Sequence, residues 1–201
     1  MLARVAREHD LLVIADEIYT RYVFDGQFIP MRSLEGMRER TVTLNSFSKN
    51  FMMTGWRVGY IMAHPNLIRV FQHINNLMTY TTPSISQRAA IFALRDRERI
   101  FRENIQVYRR RMEYTANRLS AVPWITLCRP HGTFYLFPGF QITGVPEDQF
   151  CARLLEEAHL LISPGSLFGA AGKDHFRIAA TVPDDQLAEA MDRLEKIKID
   201  T

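Results

Sequence analysis

The stretch that decides the fold is residues 46–60, which read SFSKNFMMTGWRVGY. The apolar run at residues 41–47 predicts a strand that delivers Lys49 into a turn crowded with hydroxyl groups. An apolar setting there would favour the neutral amine that can attack an aldehyde. Arg57 follows eight residues later and offers the planar fork of donors that suits a phosphate. Because a lone lysine or arginine is usually a solvated surface charge, this inference depends on the whole pattern.

The segments on either side extend this stretch to an α/β fold. Residues 11–15 form a continuous apolar run that ends at Asp16, which predicts a strand buried on both faces of a parallel sheet. Residues 41–47 and 57–63 predict two more strands. Ligands of open α/β sheets bind at the carboxyl ends of such strands, where Asp16 and residues 46–49 lie.

The remaining sequence predicts helices followed by an α+β unit. Residues 84–122 lack Gly and Pro and predict two helices, or one helix broken near Arg95-Asp96. The other predicted elements are helices at residues 1–10, 147–158 and 184–198 and short strands at residues 125–128, 133–137 and 176–180. We therefore expect two domains, an α/β domain at residues 1–105 and an α+β domain at residues 106–201.

Composition narrows the classes of function. The 201 residues include 25 basic and 22 acidic side chains, and a net charge of +3 is too weak and mixed to predict a nucleic-acid or lipid partner. Cys128 and Cys151 lack the spacing of a disulfide framework or a zinc site, so we expect no metal and a reducing cytoplasm. No signal peptide or membrane span is predicted.

Residues 46–60 resemble the signature around the cofactor lysine of class I and II aminotransferases. The resemblance implies that Lys49 holds pyridoxal 5'-phosphate (PLP) as a Schiff base and later shuttles a proton between the substrate α-carbon and C4′ of the cofactor. It assigns Ser46 and Arg57 to the cofactor phosphate, with Ser48 as an auxiliary contact.

Asp16-Glu17-Ile18-Tyr19 resembles the Asp-Glu-x-Tyr motif of the same family. It implies that Asp16 keeps the pyridine nitrogen protonated and that Tyr19 donates a hydrogen bond to the phenolic oxygen of the ring. Taken alone, Asp16 is more often a helix cap or a solvated acid, and Tyr19 is equally typical of a core. The placement about thirty residues before Lys49 favours the family roles. Glu17 receives no role.

Residues 165–169 (GSLFG) precede Phe176-Arg177-Ile178, which resembles the strand in which the family carries an arginine for the substrate α-carboxylate. An arginine between apolar neighbours would otherwise extend to water, and the upstream motifs favour the ligand role for Arg177. Residues 131–138 also resemble a segment of the family's small domain and support the assignment without adding chemistry.

The resemblance covers essentially the whole chain but only the second half of the usual family length. It implies the C-terminal part of a PLP-transferase large domain followed by the small domain, with amino acid and 2-oxo acid substrates and a homodimer in the full-length enzyme. The family's upstream phosphate loop, stacking aromatic and Asn-Pro segment do not precede Asp16. We therefore expect a fragment, an incomplete gene model or one piece of a split enzyme, inactive alone.

Three other interpretations remain open from the sequence. A PLP-dependent β-lyase, or another enzyme of the same fold type, shares these motifs. The PLP-binding domain of an aminotransferase-like transcription regulator would carry the same lysine segment. The chain could also bind nothing alone. Aspartate, aromatic amino acids and alanine all remain possible substrates.

Overall fold

Alternating apolar runs and polar turns build the first of two units, which spans Met1–Asn104 in the computed structural model. The structure describes residues 1–141 and 145–197. The helices of this unit are α1 (Leu2–Glu8), α2 (Phe47–Asn50), α3 (Pro65–Met78), α4 (Ser84–Arg95) and the start of α5 (Arg97–Ser120). Its strands are β1 (Val13–Asp16), β2 (Thr41–Ser46) and β3 (Gly59–Met62).

The three strands form one mixed sheet in the order β1-β2-β3. Strand β1 runs parallel to β2, with Asp16 opposite Leu44. Strand β3 runs antiparallel to β2, with Gly59 opposite Ser46. The carboxyl ends of β1 and β2 and the start of β3 therefore lie at the same edge of the sheet.

Strand β1 is less buried than the sequence predicts. Burial along it alternates between half-buried and exposed, and the side chain of Ile14 is 69% exposed. The prediction of a strand buried on both faces is wrong for the described residues, because the face of β1 that carries Ile14 and Asp16 is exposed. The strand also begins at Val13 rather than at Leu11.

The helical region confirms the predicted break. Helix α4 ends at Arg95, α5 begins at Arg97, and Asp96 between them is bonded through its backbone N–H to the carbonyl of Phe92. Helix α3 was not predicted, although Pro65 occupies its first turn, where the missing N–H costs nothing. No residue of α3 is buried, and its apolar stripe is exposed at Val70, Ile74, Leu77 and Met78.

The second unit begins at Ile105, within α5. Its other helices are α6 (Glu147–Ala158) and α7 (Asp184–Glu195), and its strands are β4 (Ile125–Thr126), β5 (Tyr135–Leu136), β6 (Gly139–Phe140), β7 (Ser163–Pro164) and β8 (Phe176–Ala179). Strand β8 lies between β5 and β7, and β4 pairs with β6. The predicted end of the last helix, at residue 198, lies outside the described residues.

An aromatic cluster fills the core of this second unit. The ring of Phe150 stacks on Phe140 at 4.5 Å between centroids and lies 5.8 Å from Phe176. Because Phe176 and Ile178 of β8 point into this core, the alternation of a strand turns Arg177 to the other face. Across residues 1–141 and 145–197, no helix is long and apolar enough to cross a membrane.

Candidate active site

Lys49 lies in the single turn of α2, directly after the carboxyl end of β2. Ser46 caps this turn, since its Oγ accepts a hydrogen bond from the backbone N–H of Ser48 at 3.0 Å. The same hydroxyl donates to the carbonyl of Val58 at 3.3 Å. Phe47 is 5% exposed and anchors the turn in a cluster with Met53, Val58 and Ala90. Lys49 and Ser48 are half-buried.

Arg57 ends the loop that connects α2 to β3. Its backbone has a φ of 51°, a left-handed conformation that is uncommon for a residue other than glycine. The guanidinium is exposed, and its Nη1 donates to the carbonyl of Thr54 at 2.9 Å. The loop places the backbone of Arg57 two residues before Gly59, which pairs with Ser46 at the end of β2.

The two acids at the end of β1 have different environments. Asp16 is exposed at the last position of the strand. Glu17 is buried, and its Oε1 accepts a hydrogen bond from the backbone N–H of Met31 at 2.9 Å. Tyr19 is half-buried in the turn that follows, so the motif supplies one exposed acid and one structural acid.

Tyr60 lies opposite Asn45 in the sheet, within reach of the charge of Glu17. Burial raises the pKa of its phenol, and the negative charge of Glu17 raises it further, while Arg21 acts in the opposite direction. Tyr60 is therefore a neutral hydroxyl at physiological pH.

Arg177 belongs to the second unit, where two aromatic rings bracket its side chain. The guanidinium carbon lies 4.5 Å from the ring centroid of Tyr135 and 4.5 Å from that of Phe168. Phe168 in turn meets Phe137 edge to face at 5.9 Å. Such cation–π contacts hold the guanidinium while its in-plane N–H groups remain able to bond a carboxylate.

The segment that carries Phe168 is anchored on both sides. The Ser166 hydroxyl donates to the Glu147 carboxylate, and this bond holds the pKa of Glu147 below its usual range. The backbones of Gly165 and Gly172 pack directly against each other. Only glycine fits at these two positions, because a Cβ at either one would lie about 2 Å from the carbonyl oxygen of the other. The position of Phe168 over Arg177 is thus fixed by α6 and by this close approach.

The structure brings four of the predicted site positions to one sheet edge: Asp16, Ser46, Lys49 and Arg57. Tyr19 follows that edge by one turn, and Ser48 lies within α2. The sequence assigns no role to Tyr135 or Phe168, although they lie in the motif segments at residues 131–138 and 165–169. In the part of the chain that the structure describes, no group of three His, Cys, Asp or Glu side chains could hold a metal ion.

Comparisons with known proteins show the family to which the chain belongs. The model of the family "Aminotransferase class I and II" matches residues 1–194. An aromatic-amino-acid aminotransferase 2 of Thermococcus litoralis is 37% identical over 98% of this chain, and an aspartate aminotransferase of Pyrococcus abyssi is 38% identical over 98%.

A solved structure of the aromatic aminotransferase from Pyrococcus horikoshii is 36% identical and superposes with a TM-score of 0.93 over 97% of this chain. The chain spans about half the length of these proteins, 51% of each of the two curated relatives and 53% of the solved chain. This similarity confirms the α/β fold class as the C-terminal part of that architecture. The chain therefore belongs to the class I and II aminotransferase family.

Proposed function

We propose that this chain supplies the lysine-bearing and carboxylate-binding parts of a PLP-dependent aminotransferase. The observation that carries the proposal is the convergence of Asp16, Ser46, Lys49 and Arg57 at one edge of the sheet. The names of the relatives support transfer of an amino group between an amino acid and a 2-oxo acid.

The donor set at this edge suits the chemistry of PLP. The cofactor presents an aldehyde, a phosphate dianion and a ring nitrogen. An amine at Lys49, a guanidinium at Arg57 and a carboxylate at Asp16 are the matching partners for these three groups. Hydroxyls at Ser46 and Ser48 add donors beside the phosphate, and the phenol of Tyr19 adds one for the ring oxygen.

Each residue then has a distinct task. PLP, when bound, supplies an electron sink that stabilises a carbanion at the substrate α-carbon. Lys49 would hold the cofactor covalently and, once the substrate amine displaces it, would move the proton from that α-carbon to C4′ of the cofactor. Asp16 keeps the ring nitrogen protonated by its negative charge. Arg57 and the serines hold the phosphate, and Arg177 binds the α-carboxylate of the amino acid.

We further propose that activity requires the segment corresponding to the first half of the relatives, and that the enzyme acts as a homodimer. The exposed apolar side chains of β1 and α3 support this, because apolar patches of this kind mark surfaces that another part of an assembly covers. Below, "the complete enzyme" means this chain together with that segment. A cytoplasmic location stays a prediction that cell fractionation tests.

The test compares the complete enzyme with the 201-residue chain alone. Both are supplied with PLP and a panel of amino acids and 2-oxo acids, and products and free ammonia are measured, with size determined by light scattering. We expect keto-acid formation without ammonia release from a dimeric complete enzyme and no turnover by the chain alone. Ammonia release in step with keto acid would indicate a β-lyase, and ordinary turnover by a monomeric chain would refute the requirement for the other segment.

A further inference from the structure

The turn that carries Lys49 is too short to be stable by itself. Helix α2 has four residues, and an isolated turn of this length does not offset the cost of nucleating a helix. The chain leaves it through Met52, whose φ of 56° is a strained left-handed conformation. The position of Lys49 therefore depends on contacts from outside the turn.

Two buried side chains supply hydrogen bonds between this turn and residues 20–22. The hydroxyl of Tyr22, a residue that is 2% exposed, donates to the carbonyl oxygen of Lys49 itself at 2.9 Å. Asn50 is 5% exposed, and both ends of its amide are used. Its Nδ2 donates to Thr20 Oγ1 at 2.9 Å, and its Oδ1 accepts from the backbone N–H of Arg21 at 3.3 Å.

All three bonds lead to the segment that directly follows the Asp16 motif. Residues 20–22 begin four positions after Asp16, and Glu17 between them is fixed by its bond to Met31. Residues 20–22 and the turn that carries Lys49 are thus joined by three partly buried hydrogen bonds, in addition to the pairing of β1 with β2. Buried polar groups of this kind are costly to leave unpaired, so the connection resists opening.

We propose that Tyr22 and Asn50 are positioning residues that fix the Lys49 turn relative to the Asp16 end of the sheet. The proposal rests on the proposed function, in which Lys49 binds the cofactor. Neither residue needs to touch cofactor or substrate, because each acts through the backbone at positions 49 and 50. Thr20 takes part as well, since its hydroxyl accepts a hydrogen bond from the side-chain amide of Asn50. We refer to Tyr22, Asn50 and Thr20 as the clamp.

The test uses the full chain and does not require cofactor. Tyr22→Phe, Thr20→Val and Asn50→Ala each remove part of the clamp, and Tyr114→Phe is the matched control, because it deletes a hydroxyl that bonds Arg118 in the second unit. Hydrogen exchange is followed by mass spectrometry on peptides covering residues 46–57. We expect exchange there to rise about tenfold in the three clamp variants and to stay unchanged in the control.

Reductive methylation with formaldehyde and cyanoborohydride then measures the reactivity of the Lys49 side-chain amine. The exposed Lys173 is the internal reference, and rates at both lysines are compared over the neutral and alkaline pH range. We expect the half-buried Lys49 to react several-fold faster relative to Lys173 in the clamp variants, with a changed pH profile. The effects of Thr20→Val and Asn50→Ala should not add in the double variant, because the two residues share one bond.

The hydrogen-exchange and methylation measurements can each contradict the proposal. Unchanged exchange over residues 46–57 in Tyr22→Phe and Thr20→Val would overturn the clamp, and so would faster exchange with an unchanged Lys49 reaction profile. Capture of PLP at Lys49 in the complete enzyme is judged separately. If wild-type Lys49 captured no cofactor, the proposed function would fall while the exchange and methylation data still decided the clamp.

Discussion

The guanidinium of Arg177 lies 4.5 Å from the ring centroid of Phe168. The segment that carries Phe168 is anchored by the hydrogen bond between Ser166 and Glu147. Because this ring and Tyr135 restrict the guanidinium, Phe168→Ala should weaken carboxylate binding without removing the charge. A contribution of about 1 kcal/mol corresponds to a roughly fivefold rise in KM for the amino acid in the complete enzyme. Steady-state kinetics with one amino acid substrate measures it.

The control for this variant is Phe92→Ala. Phe92 lies beneath Arg95 at 5.7 Å in another cation–π pair on the exposed face of α4. KM for the amino acid should be unchanged in Phe92→Ala. Equal effects of the two substitutions would show that the ring over Arg177 has no special part in substrate binding.

Arg177 itself should affect both kinetic parameters. Loss of its charge-assisted hydrogen bonds in Arg177→Ala should cost about 2 kcal/mol, roughly 30-fold in kcat/KM. Since the bond also orients the substrate, we expect kcat to fall together with a rise in KM. Arg177→Lys keeps the charge and loses the planar fork, so it should recover only part of the loss. Unchanged kinetics of Arg177→Ala for every accepted amino acid would place the carboxylate elsewhere.

Asp16 should matter for catalysis more than for cofactor binding. Asp16→Ala removes the charge that holds the ring nitrogen protonated, while Ser46 and Arg57 still hold the phosphate. We expect the complete enzyme to retain PLP, measured by absorbance after gel filtration, and to lose about two orders of magnitude or more in kcat. Glu17→Gln is the matched comparison, since that acid is buried against Met31, and its main effect should be on stability. Near-normal turnover by Asp16→Ala contradicts the assignment.

The second unit should lose stability in acid through its arginine-paired carboxylates. Hydrogen bonds from Arg118 lower the pKa of Glu195, and those from Arg111 and Arg110 lower the pKa of Asp184. A lowered folded pKa means that the unfolded chain takes up the proton at higher pH. The stabilisation is therefore complete above the ordinary carboxyl range and is lost as pH falls through the lowered values.

Thermal unfolding across a pH series measures this effect. Glu195→Gln should reduce the midpoint at neutral pH and flatten its decline below about pH 4.5. Glu157→Gln, which removes a surface pair with Arg153 inside α6, is the control and should leave the slope unchanged. A wild-type slope in Glu195→Gln would mean that the bond to Arg118 contributes nothing to acid sensitivity.

Much of the fold follows from local sequence because the signals are periodic. The break at Asp96 and the bounds of α6 were predicted from helical spacing and the absence of Gly and Pro. The exposure of Ile14 could not be predicted in this way. An apolar run in a strand shows that its side chains favour burial, but elements distant in sequence decide whether anything packs on each face of the sheet.

In the candidate site, too, some features follow from local sequence and others from contacts between distant residues. Lys49, Asp16 and Arg57 are predicted from the sequence because residues 46–60 and 16–19 each resemble a continuous family motif. Tyr22 and Phe168 were missed because their roles arise from contacts across about thirty and about ten residues, which no local pattern encodes. Asn50 had a weaker signal, since it directly follows the lysine, but only the structure gives the partners of its amide.

Borohydride trapping of PLP on the complete enzyme tests the central claim most directly, with the modified lysine located by mass spectrometry. The account predicts stoichiometric modification at Lys49, little at Lys173 or Lys196, and loss of the reducible absorbance in Lys49→Ala. Persistence of that absorbance in Lys49→Ala, or modification spread evenly over the lysines, would contradict the assignment of Lys49 as the residue that holds the cofactor.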